Sequence, residues 1–270
     1  GKAPIGRLLF QLSLPTVFAQ LVNMLYNMVD RIYIGHIPNI GSMALTGVGV
    51  CMPIIMIVSA FAALVCSGGA PRASIFMGKG DNDSAEKIMG GCFSLQLILS
   101  AVLTAVLLIW NRDLLLTFGA SQNTIDFATD YMNIYAIGTV FVQLTLGMGA
   151  FITAQGYTKI SMITVLIGAV SNIILDPIFI FGFDMGVAGA SLATAISKLV
   201  SFAILIFPYV TRRSLLHLSI RNFYPSKDIV TKVVSVGCKD AQAVHIQPCV
   251  VCKNGELQNH LIHLSLTVAA

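Results

Sequence analysis

The sequence predicts an all-α membrane protein, with six transmembrane helices followed by a short irregular tail. Three observations carry this. Of 270 residues, 56% are hydrophobic and only 10% charged, against about 25% charged in soluble domains. Six apolar runs, at 8–34, 44–70, 88–110, 127–154, 160–182 and 187–210, each exceed the ~20 residues that cross a bilayer. The runs are continuous rather than alternating, which selects helices over a barrel. The net charge of +4 is spread over run ends, so it marks topology and not a nucleic-acid partner.

The first run follows Lys2 and Arg7, has no initiator Met before it, and is too long for a signal-peptide core. We therefore expect a retained span in a chain that continues upstream. Along it, Gln20, Asn23, Tyr26, Asn27 and Asp30 fall on one broad face. Arg31 points about 100° away from Asp30, which favours snorkelling over pairing.

The second run opens with Gly47-Val48-Gly49, which lacks the third glycine of a dinucleotide site and reads as helix packing. After it, the loop 78–84 leads into Asp83-Ser84-Ala85-Glu86, which reads as an N-cap with a capping-box acid. The third run ends at Trp110, suited to an interfacial belt. The fourth contributes Tyr131, Tyr135 and Gln143, which with the polar residues of the first are candidates to line a cavity. The bland account of each is an interhelical hydrogen bond worth ~0.6–2 kcal/mol. Met24, Met28, Met132 and Met148 add adaptable apolar surface.

The fifth run holds Asn172 and Asp176, four residues apart, before Pro177. A carboxylate there costs about 2.5–3.5 kcal/mol and asks for a functional reason. Thr194 lies early in the sixth run. Arg72, Lys79, Lys87, Lys159, Arg212 and Arg213 fall on one side, and mainly Arg31 and Arg112 on the other. Both ends of the six-helix unit are therefore expected in the cytoplasm, across the inner (plasma) membrane. With that orientation, Asp30, Asp176 and Thr194 lie roughly 6–11 Å below the outer boundary, and Asn172 one turn deeper. Three helices thus bring oxygen-bearing side chains to one layer, which suits a cation or a proton. Pro15 and Pro177 each remove a backbone donor, giving the first and fifth helices places to bend.

Residues 213–237 read as a connector, amphipathic over 214–224, that leads into the start of a further helix. Residues 238–270 lose spanning character. Cys249, Cys252, His260 and His263 have no usual zinc-finger spacing. We expect this tail to be out of frame or truncated. Cys51, Cys66 and Cys92 lie inside runs and are expected to pack as small residues. No span offers a nucleophile–base pair or a metal set, so no enzyme and no cofactor is expected.

Leu14-Pro15 and the stretch from Leu21 to Gly35 closely resemble the first helix of the MATE (multidrug and toxic compound extrusion) transporters. The loop at 78–83, Ala154-Gln155-Gly156, Asn172 to Pro177 and Gly186 to Ser191 resemble that family's later landmarks, in order, over about residues 4–237. The likeness is closest to its bacterial multidrug-efflux branch. It implies that residues 1–212 form one six-helix lobe of a two-lobed antiporter. Such an antiporter exports organic, often cationic, compounds against Na⁺ or H⁺. It further implies that Asp30, Asn172, Asp176 and Thr194 form the cation or proton site, and that Pro15 is the bending proline. The family continues with a second lobe, so the chain alone is expected not to transport. A non-transporting membrane scaffold is one alternative. A lipid-linked precursor flippase is another, and would call for a more cationic cavity than these spans offer.

Overall fold

The computed structural model describes residues 5–38, 40–211, 214–218, 223 and 230–237, with side chains from residue 13 onward. Six long helices form a bundle: α1 (Ile5–Gly35), α2 (Gly41–Gly78), α3 (Asn82–Ile109), α5 (Ile125–Ala154), α6 (Thr158–Pro177) and α7 (Gly186–Val210). A short α4 (Asn111–Thr117) follows Trp110, where the sequence suggests only a connection. No strand occurs among the described residues. Among the described residues, five helical stretches are long and apolar enough to cross a membrane, the fourth being α6 with its continuation to Gly182.

Helix limits shift from the sequence expectation at two places. α2 extends through Pro71 to Gly78, well past the apolar run. The cap of α3 is Asp81 and not Asp83: its carboxylate accepts from the Ser84 amide at 3.1 Å. Bonds from the Ser84 side chain and backbone hold the Asp81 carboxyl below the usual carboxylate range. Glu86 is likewise no capping-box acid. It accepts from the His217 backbone N–H at 2.8 Å and lies 2.9 Å from its Nδ1. A partner 131 residues away outweighs the local motif.

α5 is the central column. It packs on α2, α3 and α7, and 56% of its most apolar stretch is buried, against 28–33% in the other four stretches. Two hydrophobic clusters surround it. One, around Ile34, Val48, Ile125, Met132 and Val187, fills the end where α1 meets α2. The other, around Met89, Phe151, Leu205 and Tyr209, fills the end bearing Arg72 and Lys79. Small residues permit these approaches. A Cβ on Gly147 would collide with the Gln96 amide, and one on Gly189 would lie 2.7 Å from the Phe179 backbone. Gly47 faces Thr124 and Phe127, whereas Gly49 faces open space. Cys51, Cys66 and Cys92 are free thiols inside the bundle, as the sequence suggests.

At Pro177 the helix does not stop but widens into a π turn, Ile178–Gly182. Proline cannot donate, so the local backbone pairing changes register there. Beyond α7, the described residues 214–218 and 223 are irregular rather than helical and pack onto the bundle. Ser214 Oγ donates to Gln155 at 2.6 Å, and Phe223 stacks on Phe93 at 5.1 Å. Residues 230–237 are helical, with Val233 against Gly68. Cys238, Cys249, Cys252, His260 and His263 lie outside the described residues, as does the expectation of an unstructured tail.

Candidate ion and substrate site

α6 carries Asn172 and Asp176 on one face, and both are wholly buried. Asn172 Nδ2 donates to Asp176 Oδ1 and to Thr194 Oγ1 of α7, each at 3.3 Å. Asp30, on α1, is 7% exposed and near enough to Asp176 for their charges to interact. The four predicted residues therefore form one cluster from three helices. Asn172 touches Asp176 and Thr194, while Asp30 shares a cavity with Thr194 without a hydrogen bond to the other three.

The cluster is not self-sufficient. Asp30 Oδ1, Asn172 Oδ1 and Asp176 Oδ2 are buried without a hydrogen-bond partner. Buried polar atoms are nearly always satisfied, and two carboxylates brought near each other in a buried site repel. Three free oxygens are a donor set that suits a hard cation or a proton. No group of three or more His, Cys, Asp or Glu suited to a metal occurs among the described residues, so any metal would rely on amide and hydroxyl oxygens as well. Arg31 makes no ion pair with Asp30 within 4.0 Å, though its charge is felt there; its guanidinium approaches Met52 Sδ at 3.4 Å.

Beside the cluster lies a cavity of about 230 Å³ between α1 and the α2–α5–α7 wall. Asp30 and Thr194 open onto it, together with Asn23, Tyr26, Asn27, Tyr131 and Tyr135. A second cavity, about 580 Å³, continues from it and is lined by Gln20, Asn23 and Pro71. Six of the seven predicted lining residues thus reach a cavity. Gln143 does not: it is fully buried and its Nε2 donates to Val58 O at 2.8 Å, tying α5 to α2. On a helix packed on most sides, polarity alone cannot tell a cavity face from a helix contact.

Sequence reading missed Lys198. Its Nζ donates to the Tyr26 hydroxyl at 3.1 Å and lies 5.2 Å from that ring's centroid. It lines both cavities. It makes the cavity more cationic than the sequence reading allowed. The signal was present, since Lys198 follows Thr194 by one helical turn inside an otherwise uncharged run.

The fold and cluster define one helical lobe of a multi-pass membrane protein, with buried acids beside an interhelical cavity. Residues 15–178 match the MatE family model, and the chain belongs to that family. It is 27% identical over 236 residues to the multidrug export protein MepA of Staphylococcus haemolyticus (strain JCSC1435), covering 87% of this chain and 52% of the relative. The MepA of Staphylococcus aureus (strain MRSA252) is 25% identical over the same coverage. A crystal structure of MATE in the bent conformation superposes with a TM-score of 0.79 at 26% identity, over 86% of this chain and 52% of that one. A MOP superfamily transporter from Pyrococcus furiosus Vc1 (DSM3638), described by a reversed polarity of its binding pocket, gives 0.79 at 26% identity over 86% and 51%. The chain spans about half the length of the curated relatives it matches. Thr194 and Lys198 lie beyond the matched family region.

Proposed function

We propose that this chain supplies the ion-coupled lobe of a multidrug antiporter. In this reading Asp30 and Asp176 carry the coupling charge, exchanging Na⁺ or H⁺, while Asn172 and Thr194 coordinate or hydrogen-bond. The single observation that supports it most is the trio of buried, unpartnered oxygens on Asp30, Asn172 and Asp176. Filling that site removes net negative charge next to the cavity, and helices that differ in affinity for the ion then shift their populations. Pro15 and the π turn after Pro177 are the places where α1 and α6 bend.

The transport cycle moves organic compounds outward by rocking this lobe against a second six-helix lobe, with both ends of the unit cytoplasmic. Substrate would occupy the cavities lined by Gln20, Asn23, Tyr26, Asn27, Tyr131 and Tyr135. Among the alternatives, Lys198 favours a flippase of anionic lipid-linked precursors more than the sequence suggested. Nothing comparable favours a scaffold.

The test is ion binding by the purified 270-residue chain, read by calorimetry with Na⁺ and by proton uptake. We expect saturable binding that Asp176→Asn abolishes and Asp30→Asn weakens by at least about tenfold, since each removes a charge-assisted contact. Binding unchanged in both variants contradicts the reading and leaves the scaffold.

A further inference from the structure

Lys198 is the thirteenth of the 25 residues of α7, the middle of the helix. At ~1.5 Å per residue, either end is ~18 Å away, far beyond the reach of a four-carbon stem. Snorkelling, which serves lysines near helix ends, is closed to it. A lysine at that depth is costly to insert and marks a functional site by default.

No ion pair among the described residues meets that charge. The ion pairs among the described residues are Arg112 with Asp126 and His217 with Glu86, so no carboxylate there lies within 4.0 Å of the Lys198 nitrogen. Asp30, the acid of the same cavity, is one turn along α1 from Tyr26, whose hydroxyl and ring take up Lys198 instead. A phenol hydroxyl and a ring face orient an ammonium but do not neutralise it.

The residues common to both cavities are Asn23, Thr145, Leu146 and Lys198. At the junction there are thus an ammonium and an amide able to donate hydrogen bonds, and the Thr145 hydroxyl, whose present acceptor is Lys198 O at a long 3.5 Å. That is the chemistry that receives an oxyanion.

We propose that Lys198, with Asn23 and Thr145, forms a subsite at the junction of the two cavities for a carboxylate group carried by the substrate. The subsite deepens the transporter reading and rests on it, because it names what part of the cargo sits where. Asp30 stands at one end of the smaller cavity and Lys198 at its junction with the larger one. A cargo bearing an amine as well as an acid satisfies both.

The test uses the whole chain in lipid nanodiscs and equilibrium dialysis of probes that share one aryl body: naphthoate, neutral naphthamide and naphthylmethylammonium. We expect naphthoate to bind wild type about tenfold more tightly than naphthamide, the scale of one charge-assisted hydrogen bond. Lys198→Gln and Lys198→Met should each erase that preference, and Lys198→Arg should retain it. The two neutral variants differ in polarity, so a folding failure of one leaves the other, and the wild-type comparison needs neither. Equal binding of naphthoate and naphthamide to wild type, or a preference that survives loss of the charge, overturns the proposal. A Lys198→Gln effect confined to ion binding overturns it too, showing an internal counter-ion for Asp30. Na⁺ and proton binding are read in the same samples. Their absence counts against the coupling reading, whereas a missing carboxylate preference counts against the subsite alone.

Discussion

α5 and α1 are nearly equal in length, 30 and 31 residues, yet the bundle treats them oppositely. α5 is gripped by α2, α3 and α7, and its Tyr131, Met132, Phe151 and Ile152 are buried. α1 leans chiefly on α6 and touches α2 and α7 only lightly. Its outward face shows Leu14, Phe18, Leu21, Met24, Leu25 and Met28, and its inward face is polar. Packing density makes α5 a fixed post, while the cavity beside α1 removes the contacts that would fix it. The difference teaches where movement is cheap. The cluster of Asp30, Asn172 and Asp176 joins α6 to α1, the helix with the lightest hold on α2 and α7, so a charge change there would act on the element freest to respond.

The sharpest way to break this comparison is to empty a contact in each region. Phe151→Ala, in the packed end of α5, should cost about 3–5 kcal/mol in denaturant unfolding from mixed micelles. Phe18→Ala, on the outward face of α1, should cost less than about 0.5 kcal/mol. Equal costs would erase the distinction between post and loose helix.

Gln143→Leu gives a smaller effect that separates structure from cavity. It cuts the bond to Val58 O and should destabilise by about 1 kcal/mol in the same unfolding assay. Dialysis of the aryl probes should show their binding unchanged. Weakened probe binding would return Gln143 to the cavity wall.

The smallest effect lies outside both regions. The bond from Ser84 makes the ionised Asp81 cap the stabilising form, so its contribution is present above the ordinary carboxylate pKa. It is lost as pH falls through the depressed folded value. Asp81→Ala should raise amide exchange in the first turn of α3 near neutral pH, and the excess over wild type should vanish in acid. An excess that persists in acid would contradict the cap.

Much of this was legible because a helix has a fixed rise. Counting residues from run ends put Asp30, Asp176 and Thr194 at one depth, and the structure brings Asn172 into contact with Asp176 and Thr194. Depth is one coordinate, however, and rotation about each helix is another that these apolar runs encode weakly. That is why Gln143 was assigned to the cavity and why Lys198, taken as part of an apolar run, was overlooked. Long-range partners were illegible for a different reason. Glu86 looked like a cap acid because its motif is local, whereas His217 reaches it only after the chain has folded back across the bundle.

Ion occupancy of the acid cluster should act on α1 and α6, the helices that carry its acids, and spare α5. Hydrogen exchange of the whole chain in nanodiscs, with and without Na⁺ and across the acid range, tests it directly. Protection should change in α1 and α6, stay constant in α5, and lose its ion dependence in Asp176→Asn. An ion response spread evenly over α1, α5 and α6, or one that survives Asp176→Asn, would contradict it.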